Sequence, residues 1–281
     1  MKFLRYRFAC LEAKRHNHPV ANLPWQQRMR RAEKLAAQYP FAAEILGFYV
    51  HLARFQESLH QRLERASTTP VSISSPPESA ELLAGFPAFL SLVGEEGPAQ
   101  FARIADDLRN SPTGSWSDLL SHCWSATDAP PATPEEFLAF AFLQPCAEFV
   151  RSRAGLQVEG YTHSLCPLCN RKPGFGVLRQ LGDGARRNLV CGFCLCEWEF
   201  RRIVCAGCGL EDQAKLPVYT AEQFPHLRVE CCDVCRTYIK SVDLTKNGLA
   251  DPMVDELASL PLDLWAQEHG YVKLRPNLLG L

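Results

Sequence analysis

Four Cys-x-x-Cys pairs stand within 70 residues of this 281-residue chain: "CPLC" at Cys166 and Cys169, "CGFC" at Cys191 and Cys194, "CAGC" at Cys205 and Cys208, and "CDVC" at Cys232 and Cys235. Twenty-one residues separate the first two pairs, and 23 separate the last two. A Cys-x-x-Cys turn places two thiolates on one side of a tight loop, and two such turns at the ends of neighbouring hairpins complete a tetrahedral site of four sulfurs. The tandem spacing therefore predicts two adjacent metal–thiolate sites. Zinc and mononuclear iron both suit that donor set, and geometry alone does not separate them.

The residues around the pairs agree with this reading. Pro167 stiffens the first turn, while Asn170 and Gly209 follow the second cysteine of their pairs, where left-handed backbone is needed and Asn and Gly accept it. Structural metal binding is worth roughly 10–16 kcal/mol in isolated finger peptides, more than short strands bury by themselves. Ten of the 13 cysteines fall between Cys166 and Cys235, leaving Cys10, Cys123 and Cys146 scattered. A secreted disulfide framework belongs to a short chain behind a signal peptide, and this chain fits neither condition. Disulfide exchange between the pairs stays open, although the βαβ pattern of thioredoxin-like motifs is missing. Cys196, two residues past Cys194, and Cys231, directly before Cys232, are each readable as a small buried residue, a replacement ligand or a free thiol.

Two different textures must position these sites. From Pro24 to Ala154 the apolar residues recur at helical spacing, as in Ile45, Phe48, Tyr49, Leu52, Phe55, Leu59 and Leu63. Pro87 is expected to break or kink its helix and Pro145 to kink its own, Pro98 to occupy a first turn, and Ser115 or Ser117 to cap a short helix. Thr133 with Pro134 and Glu135-Glu136 reads as a strong helix start, and Gly155 as its stop. Beyond residue 160 the apolar runs shorten and gain β-branched and aromatic residues, giving short strands between cysteine loops, and Pro252 and Pro261 mark one or two closing helices. The fold class is α+β: an all-α N-terminal domain, two tandem rubredoxin-like or zinc-ribbon-like β modules, and a C-terminal helix. The divisions are an N-terminal extension over 1–23, a helical domain over 24–158 with a Ser/Pro linker at 67–80, a first module over 159–203, and a second over 204–281.

The chain is 47% hydrophobic with a net charge of −1, so no global basic signature points to nucleic acid. No apolar run reaches the roughly 18 residues of a membrane span. Arg5 and Arg7 interrupt what a secretory signal would need to be apolar, and Arg30-Arg31 lie in a helical pattern rather than an export signal, so a cytoplasmic location is expected. Between Thr162 and Cys205, Arg171, Lys172, Arg179, Arg186, Arg187, Arg201 and Arg202 face Asp183, Glu197 and Glu199, an excess of four positive charges. That stretch reads as a nucleic-acid surface, a solvated hairpin face, or a dock for an acidic protein segment. The eight histidines form no companion motif, and no triad, phosphate loop or glycine fingerprint is present, so an enzyme is not expected.

Taken together, "CPLCNRKPGFG", "LVCGFCLCEWEFRRIVCAGCG", "ECCDVCRTYIKSVDL" and the closing "ADPMVDELASLPLDLWAQEHGY" resemble the formate dehydrogenase accessory protein FdhE family, most specifically from Cys166 onward. The resemblance implies a cytoplasmic maturation factor, chaperone-like and non-enzymatic, that acts on the molybdenum-containing catalytic subunit of respiratory formate dehydrogenase. It also implies two rubredoxin-like sites, iron first and zinc second, with Cys166, Cys169, Cys191 and Cys194 as ligands of one and Cys205, Cys208, Cys232 and Cys235 of the other. Cys196 departs from the pattern, standing where a small polar residue is expected. A nucleic-acid-binding zinc ribbon is the alternative function, and the sequence is compatible with a homodimer.

Overall fold

The computed structural model describes residues 23–66, 73, 80–127 and 129–280. Residues 1–22 of the N-terminal extension, with Cys10, and nearly all of the Ser/Pro linker lie outside the described residues. The chain begins with six helices: α1 (Leu23–Gln38), α2 (Ala43–Ala66), α3 (Ala80–Glu96), α4 (Ala99–Arg109), α5 (Thr113–Ser125) and α6 (Pro134–Arg153). Helix α6 is the hub, packed by α2, α4 and α5. All thirteen residues from Leu138 to Val150 are buried, Gln144 and Glu148 included, so this helix is enclosed all round rather than along one stripe. An aromatic cluster ties α2, α3 and α6 together, with Phe142 at 5.0 Å from Phe86 and 5.4 Å from Phe89, ring centre to ring centre.

The ends of α6 follow the sequence signals. The Thr133 hydroxyl accepts from the Glu136 amide and the Glu136 carboxylate accepts from the Thr133 amide, a reciprocal capping box. Gly155, just past the end, takes φ +55°. The internal prolines do not end their helices: α3 continues through Pro87 and α6 through Pro145. A proline inside a helix costs about 3 kcal/mol, and burial of a side chain such as Phe86, Phe89 or Phe142 returns a comparable amount each, so packing overrides the local penalty. Helix α4 starts one residue after Pro98, and α5 starts at Thr113 behind Pro112 with no side-chain cap. Ser115 instead donates its hydroxyl to the Pro112 carbonyl, 2.6 Å away.

The second half is one mixed sheet: β1 (Pro173–Leu181), β2 (Gly184–Cys191), β3 (Glu197–Glu199), β4 (Val218–Ala221), β5 (Phe224–Cys231), β6 (Thr237–Asp243) and β7 (Val272–Lys273). The strand order is β3-β2-β1-β6-β5-β4, with β7 also on β6. Each module contributes a hairpin and a third strand, and the modules join where β1 runs parallel to β6, Gly176 opposite Ser241 and Val177 opposite Val242. A Cβ on Gly176 would fall 2.1 Å from Ser241 Oγ, so only glycine lets the two strands approach at this seam. Two short helices, α7 (Pro252–Ala258) and α8 (Leu260–Glu268), close the chain, and α7 packs on β1 and β6. Of the one or two closing helices expected, the chain forms two, α8 starting immediately after Ser259.

The helical and sheet halves share one core. Arg31 of α1 grips Asp255 of α7 through two hydrogen bonds of 2.8 and 2.5 Å. His226 Nε2 lies 2.7 Å from the same carboxylate, and Tyr39 donates to the Gln223 carbonyl. Burial works against the Asp255 anion, but Arg31 and His226 outweigh it and hold its pKa below the usual carboxylate value.

Candidate metal centres

The four cysteine turns are one structure repeated. In each, the residue after the second cysteine donates its amide to the carbonyl of the first: Asn170 to Cys166, Leu195 to Cys191, Gly209 to Cys205 and Arg236 to Cys232, at 2.9–3.1 Å. The amide of each first cysteine in turn donates to the carbonyl five residues on, at Arg171, Cys196, Leu210 and Thr237. This closure requires left-handed backbone at the fifth position, and Asn170, Leu195, Gly209 and Arg236 have φ of 58°, 55°, 77° and 57°. Asn170 and Gly209 announce that conformation by residue type; Leu195 and Arg236 do not. Arg236 is held there by its guanidinium, which donates to the His269 carbonyl and stacks 4.1 Å over the Tyr271 ring.

Strand pairing then brings the turns together in twos. Cys166, Cys169, Cys191 and Cys194 form one group and Cys205, Cys208, Cys232 and Cys235 the other, with the sulfurs of each within 4.8 Å of one another. In the first, Cys166–Cys194, Cys169–Cys191 and Cys169–Cys194 are 3.5, 3.4 and 3.7 Å apart. In the second, Cys205–Cys235 and Cys208–Cys232 are 3.7 and 3.8 Å apart. A tetrahedron with metal–sulfur bonds of about 2.3 Å has edges of about 3.8 Å. The donor set and its spacing thus fit a four-thiolate metal ion in both groups, and no described cysteine is disulfide-bonded. Backbone amides of Phe193 and Gly207 point at the sulfurs of Cys191 and Cys205, at 3.4 and 3.3 Å, and favour the thiolate form.

The cysteines outside the groups resolve as well. Cys196 supplies a turn carbonyl and lies outside the four-sulfur set, but its thiol sits against Cys166, a contact that lowers its pKa. The equivalent residue of the second group is Thr237, whose hydroxyl is 3.0 Å from Cys235 Sγ. Burial opposes the Cys235 thiolate, yet the Thr237 contacts bring its pKa down to about 7. Cys231 in β5, and Cys123 and Cys146 in the helices, are buried and pushed up to about 12 by that burial, which makes them unreactive.

The positive excess of the first module is largely neutralised in the fold. Arg171 is buried and donates to the carbonyls of Cys123 and Trp124, at 2.9 and 2.5 Å. Arg187 is buried against Glu230, 2.5 Å away. Arg179 pairs with Glu197, Arg186 with Glu199 and Arg201 with Glu211. Arg179 and Arg201 remain exposed, and Arg186 partly so, beside their carboxylates, which fits the solvated hairpin face among the three readings. Two of the acidic partners, Glu211 and Glu230, lie in the second module, beyond the stretch over which the charge was counted.

The closing sequence is a buried lock. Lys240, fully buried in β6, donates to Asp263 (2.6 Å), the Glu256 carbonyl (2.6 Å) and Ser259 Oγ (3.0 Å). Lys273 of β7 bonds Glu256 and Asp263, at 2.5 and 3.1 Å, and Tyr238 donates to Asp263 at 2.7 Å. Burial opposes the Asp263 anion; the two lysines outweigh it and lower its pKa. Sequence patterning missed this lock, because charged residues on short helices read as solvent-facing. Its members are spread over two strands and two helices, Lys240 and Lys273 on β6 and β7 and Glu256 and Asp263 on α7 and α8, so no single periodic pattern announces it.

Fold and site together define a class: a helical domain carrying a double ribbon with two four-cysteine centres. Two family models match the chain in succession, "FdhE, central domain" over residues 165–202 and "FdhE, C-terminal domain" over residues 203–279. A protein FdhE homolog of Pseudomonas aeruginosa is 30% identical over 94% of this chain and 92% of its own length. One from Aquifex aeolicus is 26% identical over 90% and 94%. The crystal structure of the FdhE protein from Pseudomonas aeruginosa superposes with a TM-score of 0.67 at 27% identity, covering 93% of this chain and 97% of that one. The chain belongs to the FdhE family.

Proposed function

We propose that this protein is a non-enzymatic accessory factor for the maturation of respiratory formate dehydrogenase. It acts in the cytoplasm and binds the molybdenum-containing catalytic subunit through a metal–thiolate scaffold. The eight cysteines of the two groups are the ligands, with iron the first choice of metal and zinc the second. The observation that carries the reading is the pair of four-sulfur groups at tetrahedral spacing in a chain of the FdhE family. Iron bound by four thiolates can change its charge by one unit on reduction, which would link client binding to redox state. No helix among the described residues is long and apolar enough to cross a membrane. The nucleic-acid reading loses its support where Arg171 and Arg187 are buried and Arg179, Arg186 and Arg201 are paired.

The test is capture of the tagged protein from anaerobic, formate-respiring cells, with mass spectrometry of what co-purifies. The expected result is a formate dehydrogenase catalytic subunit that is lost when Cys166 and Cys205 are both replaced by Ala. Recovery of nucleic acid, or of no catalytic subunit, would overturn the reading.

A further inference from the structure

The two centres have the same ligands and turns but different surroundings. In the first, every cysteine is at most 5% exposed. Its second turn, Gly192-Phe193, is plugged into the helical half: the Phe193 ring is 4.8 Å from Phe140 and 5.4 Å from Trp124. Arg171 stacks 4.0 Å over the other side of that ring, and Gln144 donates to the Gly192 carbonyl at 2.8 Å. In the second centre Cys208 is exposed and Cys235 half-buried. The residue equivalent to Phe193 is Val234, and the contrast is 0% against 59% exposure. A cleft of about 350 Å³, lined by Ile203 and Val218 among others, also has Cys205 and Cys232 in its wall.

We propose that the second centre is an exchange site, at which an external thiol from a small molecule or a protein takes the metal, while the first centre keeps its ion. The inference rests on the metal-ligand reading above. The step is a ligand substitution without oxidation: the incoming sulfur forms a bond to the metal, the bond to Cys208 breaks, and the proton of the incoming thiol passes to the released Cys208 thiolate. Repetition at Cys235, the other accessible ligand, frees the ion from its outer side. At the first centre the same attack is blocked, because an approaching sulfur must first displace Phe193 from between Phe140 and Trp124.

The test uses the full chain loaded with zinc and mixed with excess chromogenic chelator or glutathione, with release followed over time. Two phases of one ion each are expected, the fast one at least tenfold faster than the slow one, and Cys208→Ser should abolish only the fast one. Phe193→Ala should accelerate the slow phase. Limited alkylation of the zinc-loaded wild-type chain with iodoacetamide, mapped by peptide mass spectrometry, assigns the phases without any variant: Cys208 and Cys235 should be modified before Cys166, Cys169, Cys191 or Cys194. Release in one phase, or early alkylation at the first centre, would overturn the proposal. Capture of the formate dehydrogenase subunit does not enter this test, so the two readings fail separately.

Discussion

Replacing Lys240 by Met should unsettle the second module more than any surface change. The Lys240, Glu256, Asp263 and Lys273 side chains are 0, 2, 5 and 7% exposed, two cations against two carboxylates. Losing Lys240 leaves that set with a net negative charge and takes away the donor to Ser259 and to the Glu256 carbonyl. Breaking a buried pair from one side costs about 3–5 kcal/mol. With a urea dependence near the upper end of the roughly 1–3 kcal/mol per molar seen in small domains, the midpoint should fall by about 1 M or more. The assay is equilibrium urea unfolding of the zinc-loaded chain followed by tryptophan fluorescence. Lys34→Met, at an exposed position, is the control and should stay within about 0.5 kcal/mol of wild type. Adding Asp263→Asn to Lys240→Met rebalances the charge while keeping an acceptor for Tyr238, and should recover at least half of the loss. A midpoint shift no larger than the control, or a double variant no better than the single one, would refute the reasoning.

Three further perturbations follow from the same structure. Gly176→Val should destabilise the chain by about 1–3 kcal/mol through overpacking at the β1–β6 seam, and Ser241→Gly should partly restore it; thermal melting that leaves Gly176→Val at the wild-type midpoint would contradict the seam. Asn170→Val places a β-branched residue at φ 58° and should cost about 1–2 kcal/mol, whereas Asn170→Gly should be tolerated, as unfolding of both variants will show. Asp255 and Asp263 have folded pKa values lowered from 3.8, so their ion pairs contribute fully above the unfolded value and lose that contribution as pH falls through the lower folded values. Stability should therefore fall as the pH drops below the unfolded value of 3.8, and Asp255→Asn should flatten that fall; an unchanged slope would rule that carboxylate out.

What the sequence made legible was the part written in local chemistry. Cysteine spacing identified both sulfur groups, Thr133 with Glu136 identified the start of α6, and Asn170 and Gly209 identified two of the four left-handed turn positions. Features set by distant partners were not legible. Leu195 and Arg236 adopt the same backbone because their turns close the same hydrogen bonds, to which Arg236 adds guanidinium contacts with the distant His269 carbonyl and Tyr271. Pro87 stays inside α3, where its neighbours Phe86 and Phe89 are fully buried. Arg171 and Arg187 read as surface residues, but the Cys123 and Trp124 carbonyls and Phe193 bury the first and Glu230 the second. The parallel pairing that fuses the two modules had no counterpart in either module alone.

The central claim is that the eight cysteines hold two metal ions, and elemental analysis of the anaerobically purified chain tests it most directly. The expected content is two ions per chain, one for each four-cysteine group. It should fall to one in Cys166→Ser/Cys194→Ser, and likewise to one in Cys205→Ser/Cys235→Ser. A metal-free wild-type chain, or a content that neither double variant changes, would contradict the account.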